Sequence, residues 1–200
     1  MTRRDGARRI PLFVSVLSLS LLSLLTVGSA RADDTIKHPG DHPHYSVELE
    51  PHLVLGWGGY YGGAGGIGPG GRASIPIVDN GFVSSINNSV AITFGLDVLF
   101  YNYCYNGWGG GGCSATFFEF PVAMQWNFFV AQRWSVFGEP GLAIYHGDWG
   151  CGNANCPWST SVTSVEPALY LGGRYHFSDS VSLTMRLGWP ALSFGVSFFL

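Results

Sequence analysis

The sequence predicts an all-β fold, an eight-stranded antiparallel transmembrane β-barrel preceded by a cleaved signal peptide. Three observations lead there. Apolar residues alternate with small or polar ones in eight segments, each of about the length that lets a tilted strand cross a bilayer. Past the N-terminus, no apolar run is long enough for a spanning helix. Charged residues are only 12% of the chain, whereas it holds 29 glycines and 15% aromatics, a balance foreign to soluble domains.

The first element is the export signal, residues 1–32. Arg3, Arg4, Arg8 and Arg9 form a basic head, Ile10 to Gly28 an apolar Leu-rich run, and Ala30-Arg31-Ala32 the small-x-small pattern that signal peptidase cuts. Cleavage there leaves 168 residues, ordinary for one domain and enough for eight strands with loops. It also leaves five basic residues (Lys37, Arg72, Arg133, Arg174, Arg186) against twelve acids, a net charge of −7. Such a chain has no clustered basic face for nucleic acid. Residues 33–44 read as a flexible, solvated periplasmic leader. Its His38, Asp41, His42 and His44 match no closed metal-site spacing, and neither a metal nor a cofactor is expected.

The barrel is expected over residues 45–200. Strand one, Tyr45 to Trp57, sets Val47, Leu49, Leu53 and Leu55 against Glu48, Glu50 and His52. Strand two, Gly66 to Val78, turns Arg72 and Ser74 away from Ala73, Ile75 and Ile77. The link from Asp79 to Ser89 is long for an inner turn, and the sequence leaves its path open. Strand three, Val90 to Tyr101, alternates Ile92, Phe94, Leu96, Val98 and Phe100 with Thr93, Gly95, Asp97, Leu99 and Tyr101. Strand four, Thr116 to Trp126, sets Phe118, Phe120, Val122, Met124 and Trp126 against Glu119, Pro121, Ala123 and Gln125. In strand five, Trp134 to His146, Glu139, Gly141 and Ala143 oppose Leu142 and Ile144. Strand six, Val162 to Tyr175, has Val165, Leu169, Leu171 and Tyr175 outward and Glu166, Tyr170 and Arg174 inward. In strand seven Val181, Leu183, Met185 and Leu187 oppose Ser182, Thr184 and Arg186. Strand eight, Ala191 to Leu200, closes the barrel with Leu192, Phe194, Val196, Phe198 and Leu200 outward and Ser193, Gly195 and Ser197 inward; Phe199 alone breaks the rule.

Parity then orients the chain. The links after strands one, three and five lie outside the cell, and aromatics fall in two belts, Trp57, Tyr101, Tyr103 and Trp189 high and Trp126, Phe128, Trp134, Tyr175 and Phe198 low.

On this pattern of signal, alternating strands, aromatic belts and an apolar last strand, the chain resembles the small Gram-negative outer-membrane barrels of the OmpA-like and OmpW-like kind, although such barrels usually end in Phe and this one ends in Leu200. The resemblance implies an integral outer-membrane protein in contact with outer-membrane lipid and inserted by the outer-membrane assembly machinery. It implies no activity.

The chemistry-bearing residues fall in three groups. Cys104 and Cys113 share one outer loop and Cys151 and Cys156 another, and an even count in an exported chain reads as disulfides. Pairing within each loop is the simplest of three connectivities. Glu48, Glu50, Asp97, Glu119, Glu139 and Glu166 face inward with Arg72, Arg174 and Arg186, where charge is tolerated. They form either a side-chain network that plugs the lumen or a narrow, porin-like cation path, and the plug is favoured. Glu119, Glu139, Glu166 and Arg186 are expected at similar depth, with Glu166 as the partner of Arg186. Tyr60, Tyr61, Tyr105, Trp108, Trp149 and Trp158 lie among loop glycines, suited to a glycan or protein ligand at the cell surface.

Catalysis is not expected. His176-Phe177-Ser178 resembles the His-x-Ser pair of an outer-membrane lipid A deacylase but falls at the inner end, and His146 with Asp148 has no serine partner in the sequence. The functional expectation is a structural or surface-interaction role, with a cation-selective or small-solute channel as the main rival and an outer-leaflet lipid-modifying enzyme third.

Overall fold

The computed structural model describes residues 35–56, 65–104, 112–151, 159–188 and 191–200. The signal segment, the loop aromatics Tyr60, Tyr61, Tyr105, Trp108 and Trp158, and Cys156 lie outside them, as do the side chains of Trp149, Cys104, Cys113 and Cys151.

A short 3-10 turn, Thr35–Lys37, precedes eight strands: β1 Glu48–Gly56, β2 Gly66–Val78, β3 Asn88–Cys104, β4 Gly112–Ala131, β5 Trp134–Cys151, β6 Ser159–Ser178, β7 Val181–Gly188 and β8 Ala191–Phe199. Each pairs with its neighbours antiparallel, and β8 returns to β1, with Leu55 opposite Leu192 and Leu49 opposite Phe198, so the sheet is a closed barrel. Over the height that all eight strands share, closure satisfies each strand's backbone groups from the strands beside it, the condition for a sheet to lie in lipid.

The alternation expected from the sequence holds strand by strand. Leu49, Leu53, Ile75, Ile92, Phe94, Phe120, Val122, Leu142, Ile144, Val165, Leu171, Leu183, Met185, Phe194 and Phe198 stand exposed on the outer wall, while Glu48, Arg72, Thr93, Asp97, Glu119, Gln125, Glu139, Arg174, Thr184, Arg186 and Ser197 are buried inside. This is the inside-out pattern of a barrel whose solvent on the outside is hydrocarbon. Tyr101 departs from its place in the upper belt. It is turned inward and buried, its ring over Gly66, where a Cβ would come within 2.5 Å of the ring. The odd parity it shares with Thr93 and Asp97 puts it there.

Two features exceed what periodicity revealed. First, β3 to β6 run for 17 to 20 residues, whereas β1, β7 and β8 have only 8 or 9. About ten residues cross the bilayer, so among the described residues the strands β3 to β6 reach beyond β1, β7 and β8 at the outer end by roughly 20 Å. Second, the inner end is built over. The leader is tied down at a few points while residues 37–41 stay exposed: Thr35 is buried, the Asn87 amide donates to the Ile36 carbonyl at 2.8 Å, and Ser46 and Val47 donate to the carbonyl of Leu200. The link between β2 and β3 is exposed over residues 82–85 and turns inward at its end, where Asn87 and Asn88, the first residue of β3, are fully buried.

Candidate functional site

The inward side chains lie in layers along the barrel. At the outer end Val54, Leu99, Tyr101 and Ala115 form an apolar cluster, with Phe117 and Ala191 against it.

Below it lies the first polar layer. Asp97 accepts from Arg72 Nη2 and bonds His52 Nε2, both at 2.7 Å. Glu119 is directly opposite Asp97 in the β3–β4 register, yet its partners are hydroxyls, Tyr170 by a short bond and Tyr145 at 3.3 Å. Glu166 accepts from Ser164.

The middle layer is the Arg186 node. Its guanidinium donates to both oxygens of Glu50, at 2.7 and 2.9 Å, and to both oxygens of Glu139, at 2.9 and 3.2 Å. Gln125 donates to the same Glu139 at 2.7 Å. Planar fork geometry makes such pairs the strong class of hydrogen bond. The expected Arg186–Glu166 pair is therefore corrected. Arg186 stands opposite Gly172 on β6, whereas Glu166 stands opposite Ala143, nearer the outer end. Counting to mid-strand misplaced Glu166 because β6 runs on beyond the end of β7. Glycine at 172 also leaves room: the Phe137 ring occupies the space where a Cβ would lie, and the guanidiniums of Arg186 and Arg174 lie over that ring at 5.1 and 4.3 Å.

The innermost layer is Arg174, which donates to Glu48 at 2.9 Å and to Asn127 at 2.7 Å. Beneath it Ser135 Oγ and His176 Nε2 are 2.9 Å apart, both buried, with His176 stacked on Phe199. His176 thus meets Ser135, not Ser178. At the outer rim His146 bonds Thr163 at 2.7 Å and lies 3.5 Å from Asp148.

All nine inward charges expected from the sequence are thus placed in the lumen or its upper rim. His52, Gln125, Asn127, Tyr145 and Tyr170 complete the network. Inward parity alone marked His52, Gln125 and Tyr170; nothing in the sequence marked their partners.

At the outer end, the β6–β7 ladder stops where Tyr170 faces Gly188. Above it, Ser159 to Leu169 of β6 pair with β5 on one side and, among the described residues, with no strand on the other. Ser159, Thr160, Ser161 and Thr163 on this stretch are exposed. In the same raised wall the backbone register sets Cys113 of β4 opposite Cys151 of β5, and Cys104 of β3 opposite Gly112.

Comparison with solved structures agrees with this geometry. The fold is similar to that of Neisserial surface protein A, with a TM-score of 0.52 at 15% identity over 77% of this chain and 96% of that one. It is also similar to Ail, the attachment invasion locus protein of Yersinia pestis, with a TM-score of 0.50 at 10% identity over 80% of this chain and 99% of that one. Ail has in addition been solved in complex with the heparin analogue sucrose octasulfate. No family model matches the sequence. No curated protein matches it either. The chain has the fold of the small eight-stranded outer-membrane barrels, and its outer wall is apolar as theirs must be to face lipid.

Proposed function

We propose that the protein is a cell-surface interaction barrel of the outer membrane whose lumen is plugged by its own side chains. The observation that carries this reading is the raised wall. A barrel that served only to span the membrane needs no strands of 18 to 20 residues, and here β4, β5 and β6 all have them. Among the described residues the wall offers a strand edge at Ser159 to Leu169, whose backbone groups can pair with a partner, and Trp158 adjoins it in the chain.

The ligand class follows from charge. The basic residues after the expected cleavage site are Lys37, Arg72, Arg133, Arg174 and Arg186, and none falls in the outer loops. A sulfated ligand such as the heparin analogue sucrose octasulfate, with which Ail was solved, therefore has no basic side chain to meet there. A neutral glycan or an uncharged stretch of polypeptide suits these Gly-, Tyr- and Trp-rich loops. Export by the signal peptide, insertion by the assembly machinery, disulfides among the four cysteines and absence of catalysis belong to the same reading.

Cells carrying the full-length protein should adhere to surfaces coated with neutral glycans or with host-type proteins. Cells carrying a form in which residues 147–162 are replaced by a short turn should not, while the shortened barrel still reaches the outer membrane. Equal adhesion by both forms refutes the surface role. The rival cation path is favoured by Glu119 and Glu166, whose partners are hydroxyls where the other carboxylates have arginines. Steady cation-selective current through the refolded, unmodified protein would promote that path over the plug.

A further inference from the structure

The link between β2 and β3 has two unlike sides, and they point to one device. Asn88 fixes its shape: its side-chain nitrogen donates to the carbonyls of Val83 and Ile86 at 2.7 and 2.8 Å, and its backbone carbonyl accepts from Gly81 at 2.9 Å. A side chain at Gly81 would collide with Asn88, since a Cβ would lie 1.8 Å from Oδ1. The loop so pinned presents Phe82, 60% exposed, and Val83, 37% exposed, outside the barrel wall. Phe82 packs edge-on against Trp126 at 5.4 Å, and the Trp126 indole donates to Asn88 Oδ1 at 2.9 Å.

Asn87, the next residue back, faces the other way and uses every polar group it has. Its amide donates to Ile36, its carbonyl accepts from Phe129, and its side-chain nitrogen donates to the Asp41 carbonyl at 2.7 Å. That orients Oδ1 toward His42, whose Nδ1 donates to it at 2.7 Å. The His42 ring is stacked on Phe129, 4.6 Å between centroids and 7° between planes.

We infer that the link from Asp79 to Asn87 is a lipid-seated clamp: Phe82 and Val83 sit in the headgroup–acyl boundary of the inner leaflet, and Asn87 holds the leader across the inner mouth of the barrel. The occupant is phospholipid because the apolar side continues the lipid-facing wall. Ile75, Ile77 and Val78 lead into it along β2, exposed like the rest of the band, and Trp126 and Phe128 flank it. A pinned, exposed aromatic beside such a wall is the arrangement of an interfacial anchor. The inference rests on the outer-membrane reading, and its test is arranged so that the two fail separately.

In a background with all four cysteines changed to serine, Phe82→Cys carries a fluorescent label in vesicles of phosphatidylethanolamine and phosphatidylglycerol. Lipids brominated near the acyl carbonyl should quench that label more than those brominated near the methyl end. Neither should quench a label at Asn80→Cys. A label at Val122→Cys, in the middle of the wall, tests the barrel itself. If Val122→Cys is quenched and Phe82→Cys is not, the clamp fails alone; if neither is, the membrane reading fails with it. Cross-linking of Phe82→Cys into dimers would give the surface to a second copy of the chain and overturn the inference.

The holding function is read on the protein with its cysteines intact. Amide hydrogen exchange across residues 36–44 should quicken by at least about tenfold, as local opening does, in Asn87→Ala and in Phe82→Ser combined with Val83→Ser. Unchanged exchange in both variants overturns the clamp.

Discussion

Replacing Arg186 with leucine should be among the costliest single changes in the barrel. Four hydrogen bonds join its guanidinium to Glu50 and Glu139, and these carboxylates are 2% and 1% exposed. Removing the arginine leaves two buried carboxylates without their guanidinium, with only His52 at 3.4 Å from Glu50, in a space too dry to hydrate them freely. Breaking a buried pair in this way costs about 3–5 kcal/mol, whereas replacing all members with apolar residues is often near neutral. Arg186→Leu should therefore lose about 3–5 kcal/mol, and Arg186→Leu with Glu50→Leu and Glu139→Leu should recover most of it. Adding Glu166→Leu to Arg186→Leu should recover nothing, because Glu166 bonds Ser164 instead. The assay is urea unfolding of the refolded protein in vesicles, followed by circular dichroism and by gel mobility. At a slope of ~2 kcal/mol/M, the single variant's midpoint falls by about 2 M. The reasoning is refuted if Arg186→Leu costs under about 1 kcal/mol, the level of an exposed pair, or if Glu166→Leu rescues and the Glu50 and Glu139 changes do not.

Three further outcomes are expected. Gly172→Ala should cost about 1–3 kcal/mol in the same unfolding assay, as overpacking does, because the new Cβ would lie 2.0 Å from a Phe137 ring that two arginines hold in place. Non-reducing peptide mapping should find Cys113 joined to Cys151 in preference to the within-loop pairing with Cys104, since register partners on antiparallel strands have backbones about 4.5–5.5 Å apart, a spacing a disulfide accepts, whereas Cys104 is the register partner of Gly112. The protein should fractionate with outer membranes, begin at Asp33, and migrate faster on a detergent gel unheated than boiled; recovery from the soluble periplasm with Met1 intact would contradict the location.

Strand number, parity and the inward charges were legible in the sequence because each depends on a period of two along a single strand. Thr93, Asp97, Glu119, Glu139 and Arg174 face inward whatever their neighbours are, and a lipid exterior leaves a charge no other side to take. The identity of partners was not legible, because it depends on relative height around a closed ring. Arg186 and Glu50 are 136 residues apart. Only closure of β8 on β1 brings them across the lumen, and only the shortness of β7 beside the long β6 puts Glu166 out of reach. The clamp was hidden for a related reason. Nothing local distinguishes Asn87 from Asn88, which are identical and adjacent, yet one holds the leader inside and the other shapes the link that carries Phe82 outside. Local alternation determined which face each strand residue takes; three-dimensional closure decided what each one meets there.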